Sequence, residues 1–220
     1  MNEIDIDVDF TDISGADLKS CHKSAGMSSL PGISKISWDG RLYEMNIFYT
    51  GNIRHSFEQY SRGGRFTAKE HCHGDLYHLV LFTGGENMFS LDGILRHGRK
   101  GVIALVPPGI PHFFVPCRPG RLSYSEVAFF FGSGEEALNL TFPELLSSYS
   151  GIPDLDFGLT LEVDDDLSVF LSGRIRDISE QIHKGDRLSV FSAHESLMDM
   201  LSSLTHHVCK LEQANFPESM

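Results

Sequence analysis

A chain of 220 residues, 41% hydrophobic and 22% charged, has the composition of a globular protein able to bury a sizeable core. No apolar run approaches the roughly 20 residues a membrane-crossing helix needs. The acidic start, Met1-Asn2-Glu3-Ile4-Asp5, lacks a basic region followed by an apolar block, so no signal peptide is expected and a cytoplasmic location follows. A formal charge of −12 without a basic stripe repels phosphate, which argues against direct nucleic-acid binding by this chain.

Residues 1–32 read as an arm and linker. Ile4, Ile6, Val8 and Phe10 alternate with Asp5, Asp7 and Asp9, a period-2 pattern that suits an edge strand or an acidic tail, and Leu30-Pro31-Gly32 closes the stretch. Residues 33–132 are short strands punctuated by glycine and proline. Strands are predicted over residues 41–48, 77–82, 87–91, 101–106 and 123–131, with Asp92-Gly93 a strong hairpin turn. Many short strands without intervening helices predict a mainly β sandwich or barrel.

Residues 133–220 change character. A short helix is expected around Pro143-Glu144-Leu145-Leu146. Asp164-Asp165-Asp166 can cap a helix whose Leu167, Phe170, Leu171, Ile175, Ile178 and Ile182 form one apolar face, and Lys184-Gly185 stops it. A second helix runs from about residue 188 to 211. Its Leu197, Leu201, Leu204, Val208 and Leu211 step by four, three, four and three, an a/d seam. Such a seam can pack on its own barrel or on a partner chain; the regularity of the heptad favours a homodimer.

The chemistry concentrates in two histidine clusters, His71-Cys72-His73 with His78, and Pro107-Pro108-Gly109-Ile110-Pro111-His112. On a strand, His71 and His73 share a face. His78 lies an odd number of residues on, and a bend at Gly74-Asp75 can bring it back to that face. Four imidazoles on neighbouring hairpins could hold one divalent transition metal (zinc, nickel or iron) or line a ligand pocket. Cys72 points the other way and reads as a packed thiol. With Cys21, Cys117 and Cys209 it shows no Cys-x-x-Cys spacing, so the cysteines are expected to be reduced. Candidate pocket walls are Phe66, Tyr77, Phe89 and Phe114. Arg65 could pair with a carboxylate, and Trp38 could stack on a ring ligand or cover the barrel mouth. No Ser/His/Asp or Cys/His arrangement and no glycine-rich phosphate loop is present, so no catalytic residue is assigned.

Residues 64–116 resemble the paired motifs of the cupin superfamily. In the first motif His71 and His73 match the His-x-His pair, His78 stands where the family has glutamate, and Gly85 falls at the expected interval. Gly101, Pro107, Gly109 and His112 match the second motif, while Pro116 replaces its asparagine and the leading glycine of the first is displaced by one residue. The resemblance implies a single cupin barrel, a double-stranded β-helix or jelly-roll, followed by an antiparallel helix pair. That order of parts, over residues 33–211, is similar to the sensor half of AraC-type transcription regulators. It implies a small effector, a sugar or an aromatic or organic acid, bound in the barrel and a homodimer formed through the helices. It also implies a DNA-binding helix-turn-helix, expected to be absent from this chain. A free-standing metal-dependent cupin enzyme, of dioxygenase or isomerase type, is the alternative.

Overall fold

The computed structural model describes residues 34–56, 70–85, 87–116 and 121–215. Among the described residues, ten strands and three helices follow one another as β1 (Lys35–Trp38), β2 (Arg41–Ser56), β3 (Tyr77–Gly84), β4 (Asn87–Leu91), β5 (Ile94–Gly98), β6 (Val102–Val106), β7 (His112–Pro116), β8 (Arg121–Ser133), β9 (Glu136–Ala137), α1 (Phe142–Ser150), β10 (Thr160–Glu162), α2 (Asp165–Lys184) and α3 (Arg187–Asn215). A seven-stranded antiparallel sheet has the order β1-β2-β8-β3-β6-β10, with β9 paired to β8, and a three-stranded sheet has the order β5-β4-β7. The observed architecture is therefore mainly β, two antiparallel sheets followed by a C-terminal helix pair. The proposed arm, residues 1–32, lies outside the described residues.

Alternation sorts the large sheet into two faces. Leu79, Leu81, Ile103, Leu105, Val127, Phe129 and Phe131 point outward into a core shared with the helices. Val80, Phe82, Ala104, Val106, Leu122 and Tyr124 point inward and meet Phe89 and Leu91 of the smaller sheet. A bulge between Ile47 and Tyr49 flips the parity of β2, so Met45 and Ile47 face the helices whereas Ile53 faces the interior. Asp92 and Gly93 both have positive φ, as does the pair Asp39 and Gly40 that joins β1 to β2, and this makes both two-residue turns match the strand twist.

The helices form where their caps begin and end them. Thr141 and Glu144 make a reciprocal capping box at the start of α1. The Asp164 carboxylate accepts from the Leu167 N–H at 2.8 Å, and Gly185 closes α2 in the left-handed conformation. Between α1 and α2 the chain returns to the barrel as β10, pairing Thr160 with Ala104 and Glu162 with Val102. This strand lies beyond Gly132, where the sequence pattern places the end of the barrel; at three residues it is too short to show a period.

The leucine seam is spent within the chain. Leu197, Leu201 and Leu204 are 0% exposed and Val208 2%, packed with Leu171, Ile175 and Ile178 of α2 against the outer face of the sheet; only Leu211, at 41%, is exposed. The residues named for a dimer contact, Leu211 excepted, are thus buried within the one chain. An a/d stripe supplies the same knobs to any apolar partner, and here the sheet is the partner.

Candidate functional site

The segment before β3 runs beside the start of β7. His71 N–H donates to the His112 carbonyl at 3.1 Å and His112 N–H to the His71 carbonyl at 2.8 Å. Gly109, at φ 81°, closes the Pro107-Pro108 turn and donates its N–H to the His73 carbonyl at 2.7 Å. These bonds bring the two histidine clusters together. His71 and His73 stand on one side, the bend at Gly74-Asp75 follows, and His78 enters on the inner face of β3 beside them.

All four rings meet. Centroids are 4.4 Å apart for His71–His112, 5.1 Å for His71–His73, 4.8 Å for the stacked His73–His78 pair and 5.3 Å for His78–His112. The cluster grades from His71, exposed, through His73 to His78 and His112, which are 8% and 1% exposed. His71, His73 and His112 place their ligand nitrogens within 4.8 Å of one another. His78 stands deeper, outside that tightest set. Cys72 is exposed, not packed; the backbone here makes a single isolated bridge, between His71 and His112.

Burial keeps His73, His78 and His112 neutral. It holds His112 at about 4, with the Ile110 carbonyl opposing and His71 and His73 assisting. Burial, then His71, likewise lowers His73 to about 4, and burial with the three neighbouring rings takes His78 well below the ordinary value. The His112 Nδ1 lies 3.0 Å from the Ile110 carbonyl, which can only accept, so the proton sits on Nδ1 and the Nε2 lone pair is left for a ligand. The Nε2 of His78 is buried with no hydrogen-bond partner. Neutral rings, a fixed tautomer and an orphaned nitrogen fit a borderline transition ion or a donor-bearing ligand.

Of the predicted wall residues, Phe89 and Phe114 face the interior, 6.1 Å apart, and Phe114 lies 5.8 Å from the His112 ring. Tyr77 does not: it points outward, fully buried between Phe129, Phe131 and Phe142. Its hydroxyl donates to the Leu138 carbonyl and accepts from Leu140 N–H, fastening the segment before α1 to the sheet. Trp38 shares the outward face of Ile36 and lines an open cleft of about 270 Å³ with Arg41, Tyr43 and Asn139, away from the histidines. Arg65 and Phe66 lie outside the described residues.

The sequence pattern misses a second polar group. Glu126 is on the inner face of β8, 5% exposed, between Tyr124 and Ala128, and is hydrogen-bonded to the Tyr49 hydroxyl. In register, Tyr49, Ala128, His78 and Val106 form one row across the sheet; Gly51, Glu126, Val80 and Ala104 form the next. Tyr49 reaches from the first row to the second over Gly51, where a Cβ would stand 2.2 Å from its Oη; only glycine leaves that path open. The one signal in the sequence is a lone acid inside the apolar strand Val127-Ala128-Phe129-Phe130-Phe131, and the bulge before Tyr49 hides its partner.

Burial raises Glu126 from 4.5 to about 7, the Tyr49 bond partly opposing. Its folded value lies above its unfolded one, so its contribution to stability is complete below about 4.5 and lost as pH rises through 7. Glu126→Gln is therefore expected to be more stable than the wild type at pH 8, by up to about 3 kcal/mol. Urea unfolding at pH 4.5 and 8 measures this; an equal difference at both values would contradict it.

A family model for AraC-like ligand-binding domains matches residues 56–198, well over half of the chain. The chain belongs to this family. The matched span of the AraC-like domain includes all four histidines, Glu126, α1, α2 and the first part of α3. Among solved structures, ToxT from Vibrio cholerae is similar at 11% identity over 76% of this chain and 56% of that one, with a TM-score of 0.36. The AraC-like transcriptional activator CuxR matches at 12% identity over 81% and 62%, TM-score 0.32. KdgF from Halomonas sp. matches at 15% identity over 40% and 76%, TM-score 0.28. No curated protein matches the sequence. Among the described residues no helix is long and apolar enough to cross a membrane.

Proposed function

We propose that this AraC-like domain is the effector sensor of a cytoplasmic transcription regulator that works as a homodimer. A small molecule enters the barrel at its histidine end, and the DNA contacts are made by a separate helix-turn-helix module. The observation that carries this is the convergence of four imidazoles, three of them held neutral by burial and one with a buried and unpartnered Nε2, in a chain of the AraC-like ligand-binding family. Such a cluster is costly to bury unless something binds it. An effector can bias the regulator only by its different affinity for two arrangements.

His71, His73 and His112 would hold a divalent ion, with His78 behind them. When bound, a metal would supply a Lewis-acidic contact for an oxygen of the ligand. Purified protein from medium supplemented with zinc, nickel and iron is expected to retain close to one ion per chain by elemental analysis. His112→Ala should lower that affinity at least a hundredfold, since it removes the nitrogen whose tautomer the fold fixes. Retention unchanged in His112→Ala and His71→Ala would remove the metal from the proposal. Three imidazoles leave coordination positions open, which favours the metal-dependent cupin enzyme as the second reading. Oxygen consumption or isomerisation by the iron- or nickel-loaded protein, lost in His112→Ala, would select it.

A further inference from the structure

Glu126 and Tyr49 have no part in holding a metal, yet they face the same interior. Around that interior the contacts run from His112 to Phe114 (5.8 Å), from Phe114 to Tyr124 (5.5 Å), and from Tyr124 along β8 to Glu126 and its partner Tyr49. His78 lies diagonally across the strand pair from Glu126, on the same face of the sheet. The small residues Gly51, Ala128 and Ala104 line the sheet between these groups. Phe82 and Phe89, 4.9 Å apart, pack behind them.

We infer that Glu126, positioned by Tyr49, selects the ligand of the barrel, and that it favours a small aromatic molecule bearing a hydroxyl or amino donor over one bearing a carboxylate. This rests on the barrel being a small-molecule sensor, and it specifies the chemistry sensed. A carboxylate has about four acceptor positions, and the Tyr49 hydroxyl fills one. The remaining lone pairs, in a site screened from water, attract a donor. A second carboxylate there would set like charges together at low dielectric, a repulsive element that rejects organic acids. The described cation of the inner face is Arg96, on the edge strand β5 opposite Phe89, with its Nε buried and unpartnered. It belongs to the other sheet, so an acid would have to be read there and not at Glu126.

The test uses three probes with one apolar body and different heads: benzylamine, benzyl alcohol and benzoate, titrated calorimetrically into the full chain at pH 8. Benzylamine and benzyl alcohol are expected to bind at least tenfold more tightly than benzoate. Glu126→Gln, close to isosteric, should erase most of the amine's advantage, and Tyr49→Phe should reduce it by a smaller factor; thermal unfolding checks that both variants remain folded. Benzoate binding tightest to the wild type would transfer recognition to Arg96 and overturn the inference. The same order of affinities in Glu126→Gln as in the wild type would overturn it too, and so would no binding by any probe. Probe binding that disappears in His112→Ala but ignores Glu126→Gln would leave the sensor standing and remove only this inference. Absence of both metal and probe binding in the wild type would instead remove the sensor itself.

Discussion

Replacing Leu201 or Leu204 by aspartate (Leu201→Asp, Leu204→Asp) is expected to unfold the domain, not to release a folded monomer from a dimer. Both side chains are 0% exposed in a single chain, packed between α2 and the outer face of the sheet. Truncating such a leucine to alanine costs about 2–5 kcal/mol. An unpaired charge in the same place adds desolvation, which takes the total to a large share of the 5–15 kcal/mol that holds a typical domain. Circular dichroism and thermal unfolding of the two variants measure this. A cooperative, soluble monomer with wild-type helix content would show that the seam belongs between chains after all. Leu211→Asp supplies the contrast, because that residue is exposed and its replacement should change stability little.

The second large effect is acid sensitivity of the metal-free protein. The folded values of His112 and His73 are about 4 against an ordinary 6.5, and burial lowers His78 in the same direction. As pH falls below 6.5 the unfolded chain takes up protons that the folded chain refuses, so stability present above 6.5 is lost on the way down to about 4. His112, 1% exposed, accounts for about 3 kcal/mol of this by itself. His73 and His78 act in the same direction. Glu126 acts in the opposite direction between 4.5 and 7, one group against three. Urea unfolding of chelator-treated protein at pH 7.5, 5.5 and 4.5 should therefore show a fall, and His112→Ala should flatten it. A level profile would mean that the rings are solvated. A bound ion competes for the same lone pairs, so metal should be released across the same acid range.

Much of the site was legible because its parts are local. His71 and His73 are two residues apart, the bend that redirects His78 is written as Gly74-Asp75, and the turn that aims His112 is written as Pro107-Pro108-Gly109. The pocket walls were less legible. Tyr77 and His78 are adjacent in sequence and face opposite ways, so naming both as interior could not hold on one regular strand. Trp38 follows the parity of Ile36, but which face that parity meant depended on where the helices packed.

Glu126 shows the limit most directly. A single acid in an apolar strand can be a solvated edge residue or a buried recognition group, and the choice turns on Tyr49, 77 positions earlier in the chain, passing over Gly51 after a bulge. Bulges and long-range register are settled by cross-strand pairing, which no local window contains.

The sequence by itself determined the mainly β barrel, the caps and stops of α2, the Asp92-Gly93 hairpin turn and the meeting of four histidines, because each depends on neighbours within a few residues or on spaced motifs. Only the tertiary structure decided that the leucine seam closes on its own sheet, that β10 returns to the barrel, and that Glu126 and Tyr49 share the interior with the histidines. An apolar stripe states that a surface must be covered, but not by which partner; the packing of sheet against helix supplies the answer.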